Sequence, residues 1–270
     1  MRIGLSSAAF YGRGQTEDQA AMLRNYPVQC CEIFLQTPSE YSAAFGALVR
    51  ERLGDLPCRS VHPKGTQFEQ DLFGLSARQV SDSMRMFTSV CDAAQVLGAR
   101  YYVFHGPFGV HAPMVPQRIH ALQATMARMQ EIAAERGMEV LWENVHWCAL
   151  KNPEDVRAVR EMLPEMGFVL DVKQAWHAGV DPLEMLQAMG RQLRHVHVLD
   201  WTEAGELCLP GQGCMDWKAL FRSLADSGFD GDVMLEPYER HVRDAEALRR
   251  SLRMLQELRD AYCKIPKDGV

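Results

Sequence analysis

A chain of 270 residues with 47% hydrophobic and 24% charged side chains can fill one large core and is too apolar to be disordered. A formal charge of −6 without a Lys/Arg run argues against partnership with nucleic acid through a basic face, and no apolar run approaches the roughly 18 residues of a membrane span. Eight cysteines without a CxxC pair, following a start (MRIGLSSAAFYG) too short in apolar residues for a secretion signal, read as free thiols of a reduced, cytoplasmic protein.

Along the chain, short apolar runs alternate with longer amphipathic stretches, the rhythm of βα units around a parallel sheet. The predicted strands are RIGLS (2–6), VQCCEIFL (28–35), CRSVH (58–62), ARYYVFHG (99–106), MEVLWEN (138–144), GFVLDV (167–172), LRHVHVLD (193–200) and DVMLEP (232–237). Helical spacing of apolar residues is clearest at 76–97, 116–136 and 241–262. Ser76, Asn152-Pro153 and Asp181-Pro182 read as helix starts, and Gly98, Gly137 and Gly228 as helix stops before the next strand. Eight strands without a linker, in a length near the about 250 residues that such a barrel typically needs, predict one α/β domain over 1–270, a single (β/α)8 TIM barrel.

Four would-be metal ligands end four successive strands: Glu143, Asp171, His197 and Glu236. A buried carboxylate costs several kcal/mol unless it is paired or ligates a cation, so acids repeated at the C-terminal ends of barrel strands call for a shared partner. Three carboxylates and one imidazole form a hard, oxygen-rich set suited to one divalent ion, Mn2+, Mg2+ or Co2+, with Zn2+ also accommodated. His62 and His105 end the third and fourth strands at the same mouth, where they could ligate a second metal or hold substrate oxygens. His195 lies on the face of His197 but deeper, in a packed or supporting role. His177, His146 and His111 fall in loops near the mouth, and His120 and His241 read as ordinary helix residues. LPGQG (209–213) follows the seventh strand, where barrels often cradle a phosphate on backbone N–H groups or close a loop over the site.

The series VHP, FHG, WENVHW, LDVKQAWHAG, HVHVLD and MLEP, with LPGQG between the last two, resembles the xylose-isomerase-like barrel superfamily over about residues 2–260. The likeness is to its sugar phosphate isomerase/epimerase group and to the related endonuclease IV type of apurinic endonuclease. It implies one divalent metal held by Glu143, Asp171, His197 and Glu236, with Glu143 and Glu236 also acting as acid and base. The implied chemistry is proton transfer next to the carbonyl of a small sugar, sugar phosphate or polyol, through a metal-stabilised enediolate. His62 and His105 would steady hydroxyl oxygens, and Phe10, Phe34, Phe108, Trp147 and Trp176 could wall the substrate or pack the rim.

This chain departs from the superfamily pattern at several places. Gln174 stands where many relatives place a second His after the strand-six Asp; it can orient an oxygen but shuttles protons poorly. Lys173 could bind an anion or act as an acid at the same mouth. Ketose epimerases carry an Arg before the proline-glycine turn, where Cys208 and Leu209 stand here. Asp216-Trp217-Lys218 replaces the Asp-x-His pair of the endonucleases. The expected function is a metal-dependent isomerase or epimerase, with a dehydratase or lyase on a polyol or keto acid as the alternative. An apurinic endonuclease or a non-catalytic sugar-binding barrel ranks below both. The expected partner is a small molecule, with no nucleic acid and no membrane, and the sequence leaves room for a homo-oligomer.

Overall fold

The computed structural model describes residues 1–64, 68–108, 116–242 and 244–262. Eight strands close into a parallel barrel: β1 (Arg2–Ser6), β2 (Cys30–Leu35), β3 (Cys58–Pro63), β4 (Tyr101–Phe104), β5 (Glu139–Glu143), β6 (Gly167–Asp171), β7 (Leu193–Val198) and β10 (Asp232–Leu235). β10 pairs with β1, which seals the ring. β8 (Asp200–Trp201) and β9 (Leu207–Cys208) form a separate antiparallel pair at the rim. Around the barrel run α1 (Thr16–Leu23), α2 (Ala43–Leu53), α3 (Ala77–Leu97), α4 (Pro116–Ala134), α5 (Pro153–Met162), α6 (Val172–His177), α7 (Pro182–Met189), α8 (Trp217–Asp226) and α9 (Ala245–Tyr262). This is the (β/α)8 fold expected from the strand rhythm, and both sheet faces are covered, which is why strands such as CCEIFL and GFVLD are buried throughout.

Two of the three expected helix starts cap through their side chains, while Ser76 precedes α3 without a side-chain cap bond. The Asn152 side chain accepts the Asp155 N–H at 2.9 Å while Asp155 accepts the Asn152 N–H at 3.2 Å, and Asp181 accepts from Leu183 at 2.9 Å. Gly98 ends α3 with a φ of +73°, in the left-handed region that glycine tolerates. α2 and α3 meet so closely that a Cβ at Gly46 would lie 2.5 Å from the Ala93 carbonyl oxygen. Gly46→Ala is therefore expected to cost about 1–3 kcal/mol, as overpacking does. Urea denaturation checks this; an unchanged midpoint would mean the two helices have slack to separate.

Several boundaries differ from the expected ones, four of them as follows. β2 starts at Cys30 rather than at residue 28. β4 stops at Phe104 because the chain turns at Gly106, where φ is +82° and a Cβ would sit 2.4 Å from the Trp142 indole nitrogen. β7 stops at Val198, and the chain leaves the barrel to form β8. The final helix starts at Ala245 instead of 241, because His241 closes a single 3-10 turn in which its Nδ1 accepts the Tyr238 N–H at 3.1 Å.

Inside the barrel Tyr101, Val103, Leu141 and Val169 form an apolar layer. Toward the N-terminal ends of the strands, Asp232 is fully buried and accepts from Arg2 Nε at 2.5 Å and Arg59 Nε at 2.9 Å. The opposite, C-terminal end is polar. Among the described residues no helix is long and apolar enough to cross a membrane.

Candidate metal centre

Strand alternation places the four expected ligands. Glu143 stands two residues beyond the interior Leu141, Asp171 two beyond Val169 and His197 two beyond His195, so all three point inward at the top of the apolar layer. Glu236 follows the last residue of β10. One ligand atom from each of Glu143, Asp171, His197 and Glu236 lies within 4.8 Å of the others, and all four residues are buried. His197 Nδ1 is 2.9 Å from Glu143 Oε1 and 3.5 Å from Glu236 Oε2. Three carboxylate oxygens and a ring nitrogen this close, shut away from water, suit a divalent ion by both charge and donor type.

The expected substrate-binding residues divide into three at this centre and two at its rim. His62 Nδ1 lies 3.1 Å from Glu236 Oε1, and its Nε2 lies 2.8 Å from His105 Nε2, which in turn is 3.3 Å from Glu143 Oε2. Lys173 is buried, with Nζ 2.6 Å from both Asp171 Oδ2 and Glu236 Oε2. Gln174 turns away, its Oε1 2.5 Å from His146 Nδ1 on the rim. Trp147, 40% exposed, packs beside Phe108 and His105 at centroid distances of 5.4 and 5.9 Å. Phe34 meets Tyr11 and Tyr238 edge-on across the mouth, and Trp176 stacks on Trp201 at 5.1 Å. Phe10 is instead a core residue against Tyr26, buried within the turn after β1. His111 and the side chain of His120 lie outside the described residues.

Mutual attraction outweighs burial in setting the charges. Burial opposes ionisation of Glu236, yet Lys173 and His197 hold its carboxyl down at about 2. Against the same opposition, His197 holds Glu143 well below the ordinary carboxylate range. Burial disfavours the His62 imidazolium, but Glu236 and Glu32 raise it to about 10; likewise Glu143 and Glu69 raise His105 to about 9. The 2.8 Å contact between these rings needs one lone pair, so they share a proton rather than each carrying a full complement. Asp171 goes the other way, to about 6, because burial and the neighbouring Glu143 and Glu236 outweigh Lys173.

Three acids not anticipated from the sequence complete this end of the barrel. Glu32, fully buried on β2, lies 3.0 Å from His197 Nε2 and accepts the Ser60 hydroxyl at 2.7 Å. A carboxylate on one imidazole nitrogen keeps the other free to face a cation, so Glu32 orients His197. The signal was available: a lone acid in the middle of the apolar run CCEIFL. Glu69 accepts the Tyr102 hydroxyl at 2.8 Å and the His105 N–H at 3.3 Å. Asp200 accepts the N–H groups of Gly211, Gly213 and Met215 at 3.0–3.2 Å and the Trp217 indole N–H at 2.9 Å. The LPGQG amides of Gly211 and Gly213 are thus engaged by an acid, which corrects their reading as a phosphate cradle. His195, fully buried and 3.6 Å from Glu32 Oε2, has the supporting position expected of it.

A closed parallel barrel with buried acids and imidazoles gathered at the C-terminal ends of its strands defines a TIM barrel with a metal-capable mouth. The chain belongs to the xylose isomerase-like TIM barrel family, whose model matches residues 21–258. It is 26% identical over 272 residues to an uncharacterized protein of Mycobacterium leprae, covering 91% of each chain. It is 21% identical over 129 residues to an inosose dehydratase of Clostridium botulinum, a match that covers 40% of this chain and 43% of that one. The chain therefore matches less than half the length of that dehydratase. Its fold is similar to that of a D-allulose 3-epimerase from Methylomonas sp. in complex with D-allulose, with a TM-score of 0.77, 15% identity and coverage of 95% and 96%.

Proposed function

We propose that the protein is a divalent-metal-dependent isomerase or epimerase of a small sugar or keto-polyol, working by proton transfer next to a carbonyl. The observation that carries this reading is the convergence of two carboxylates, Glu143 and Glu236, on His197 Nδ1 at 2.9 and 3.5 Å, from strands on either side of β6 and β7. A divalent ion held by Glu143, Asp171, His197 and Glu236 would polarise the carbonyl and acidify the adjacent C–H. Glu143 and Glu236 are both held ionised, so either can take that proton; the same carboxyl can give it to the neighbouring carbon, or the other, first protonated by its own imidazole neighbour (His105 3.3 Å from Glu143, His62 3.1 Å from Glu236), can give one to the opposite face. His62 and His105, sharing a proton, can donate to one substrate oxygen and accept from the next. Phe34, Tyr11 and Tyr238 on one side, and Trp147 with Phe108 on the other, shield the pair from water. Engagement of the Gly211 and Gly213 amides by Asp200 favours an unphosphorylated substrate. A cytoplasmic setting fits the free thiols of Cys30, Cys31, Cys58, Cys91, Cys148 and Cys214.

A second reading, a dehydratase, is favoured by the likeness to inosose dehydratase: the same deprotonated carbon can expel a β-hydroxyl instead of being reprotonated. The endonuclease reading lacks support, since Asp216 caps α8 through the Ala219 N–H and Trp217 is bound to Asp200. The deciding experiment is metal analysis together with deuterium exchange in D2O, using Mn2+-loaded protein and a panel of ketoses, keto-polyols and their phosphates. Metal-dependent exchange beside the carbonyl is the expected result, and the product separates epimerase, isomerase and dehydratase. No bound metal and no exchange across the panel would remove the reading.

A further inference from the structure

We infer that Lys173 is the metal centre's own cation, which a divalent ion must displace from Asp171 and Glu236 before it can bind; this rests on the metal-centre reading above. Its Nζ lies 2.6 Å from Asp171 Oδ2 and 2.6 Å from Glu236 Oε2, in a side chain that is almost wholly buried. The other oxygens of these acids are already committed. Asp171 Oδ1 accepts the Gln174 N–H at 3.0 Å as the cap of α6, and Glu236 Oε1 faces His62 Nδ1 at 3.1 Å. Lys173 therefore holds the one oxygen of each acid left for a metal, and the Glu236 atom is the same one that lies 3.5 Å from His197 Nδ1. An ammonium and a dication cannot share two oxygens in a buried site without strong repulsion.

Without a metal, the ammonium keeps two buried carboxylates from repelling one another and holds them in ligand positions. With a metal, the flexible four-carbon stem lets the ammonium leave toward the mouth. The arrangement stabilises the metal-free protein and lowers its affinity for the ion by the same contacts. It also separates this site from one in which the residue after next from the strand-six acid carries no charge.

The test compares wild type with Lys173→Met and Lys173→Gln. Mn2+ binding is followed by electron paramagnetic resonance of the free ion, and thermal unfolding of the chelator-treated and Mn2+-loaded proteins is measured in parallel. Both variants are expected to bind Mn2+ about ten-fold tighter or more, given the charge removed. Both should also unfold at lower temperature when metal-free and show a larger Mn2+-induced rise in Tm than wild type. Mn2+ affinity equal to or weaker than wild type in the variants, with wild type binding normally, would overturn the role of Lys173 alone. No Mn2+ binding by any of the three would overturn the metal-centre reading and this inference with it. Should the methionine variant fail to fold, the glutamine variant, which keeps a donor but no charge, decides the outcome.

Discussion

Glu236→Gln is expected to lower turnover by about 10²- to 10⁴-fold, the range that loss of a general acid or base produces. The substitution keeps the shape of the side chain and an oxygen for His62, which lies 3.1 Å from the present carboxylate. It removes the charge that Lys173 and His197 hold ionised down to about 2, and with it the ability to take or return a proton. Lys173 retains Asp171 as a partner at 2.6 Å, so the barrel should still fold. Steady-state kinetics on the substrate found by the exchange screen, alongside circular dichroism, separates the two effects. An unchanged rate in a folded variant would take Glu236 out of proton transfer and leave Glu143 as the sole candidate.

Asp200→Ala should cost about 3–5 kcal/mol of stability, because several buried N–H donors lose their acceptor at once, at about 1–3 kcal/mol for each left unsatisfied. The carboxylate is fully buried and accepts from the N–H groups of Trp201, Gly211, Gly213 and Met215 and from the Trp217 indole, all at 2.9–3.2 Å. The loop has no room to collapse inward around the loss, because even a Cβ at Gly213 would lie 2.3 Å from the Trp201 carbonyl oxygen. Chemical denaturation reads the cost. Limited proteolysis should then cut near residues 209–215, where the wild-type chain resists. An unchanged midpoint would mean that water or other groups take over the five donors.

The barrel was legible because its strands are short apolar runs bounded by caps and glycines, a pattern that survives tertiary packing. The expected metal ligands were legible for a related reason: Glu143 and Asp171 break an apolar run at its last residue. Glu32 is not legible as a site residue because it breaks such a run in the middle, where the sequence does not reveal that a serine and three imidazoles face it inside the barrel. Asp200 was hidden differently. It lies at the end of the apolar run HVHVLD and reads as strand, whereas it departs from the barrel to organise a loop more than ten residues away. The burial of Lys173 also depends on tertiary placement, since a lysine two residues past an acid reads equally well as a solvated loop residue.

The ion pair between Arg2 and Asp232 joins residues 230 positions apart, and it lies at the seam where β1 meets β10. Until β10 has been synthesised, β1 has one neighbouring strand instead of two, and its outer backbone groups are without a mate. Any form of the chain in which β10 is undocked therefore leaves β1 as an open sheet edge, of the kind that can pair with a foreign strand. Contacts of such long sequence separation form slowly. Closing the ring removes that edge, and Asp232 fastens the seam by accepting from Arg2 on β1 and Arg59 on β3, two different strands.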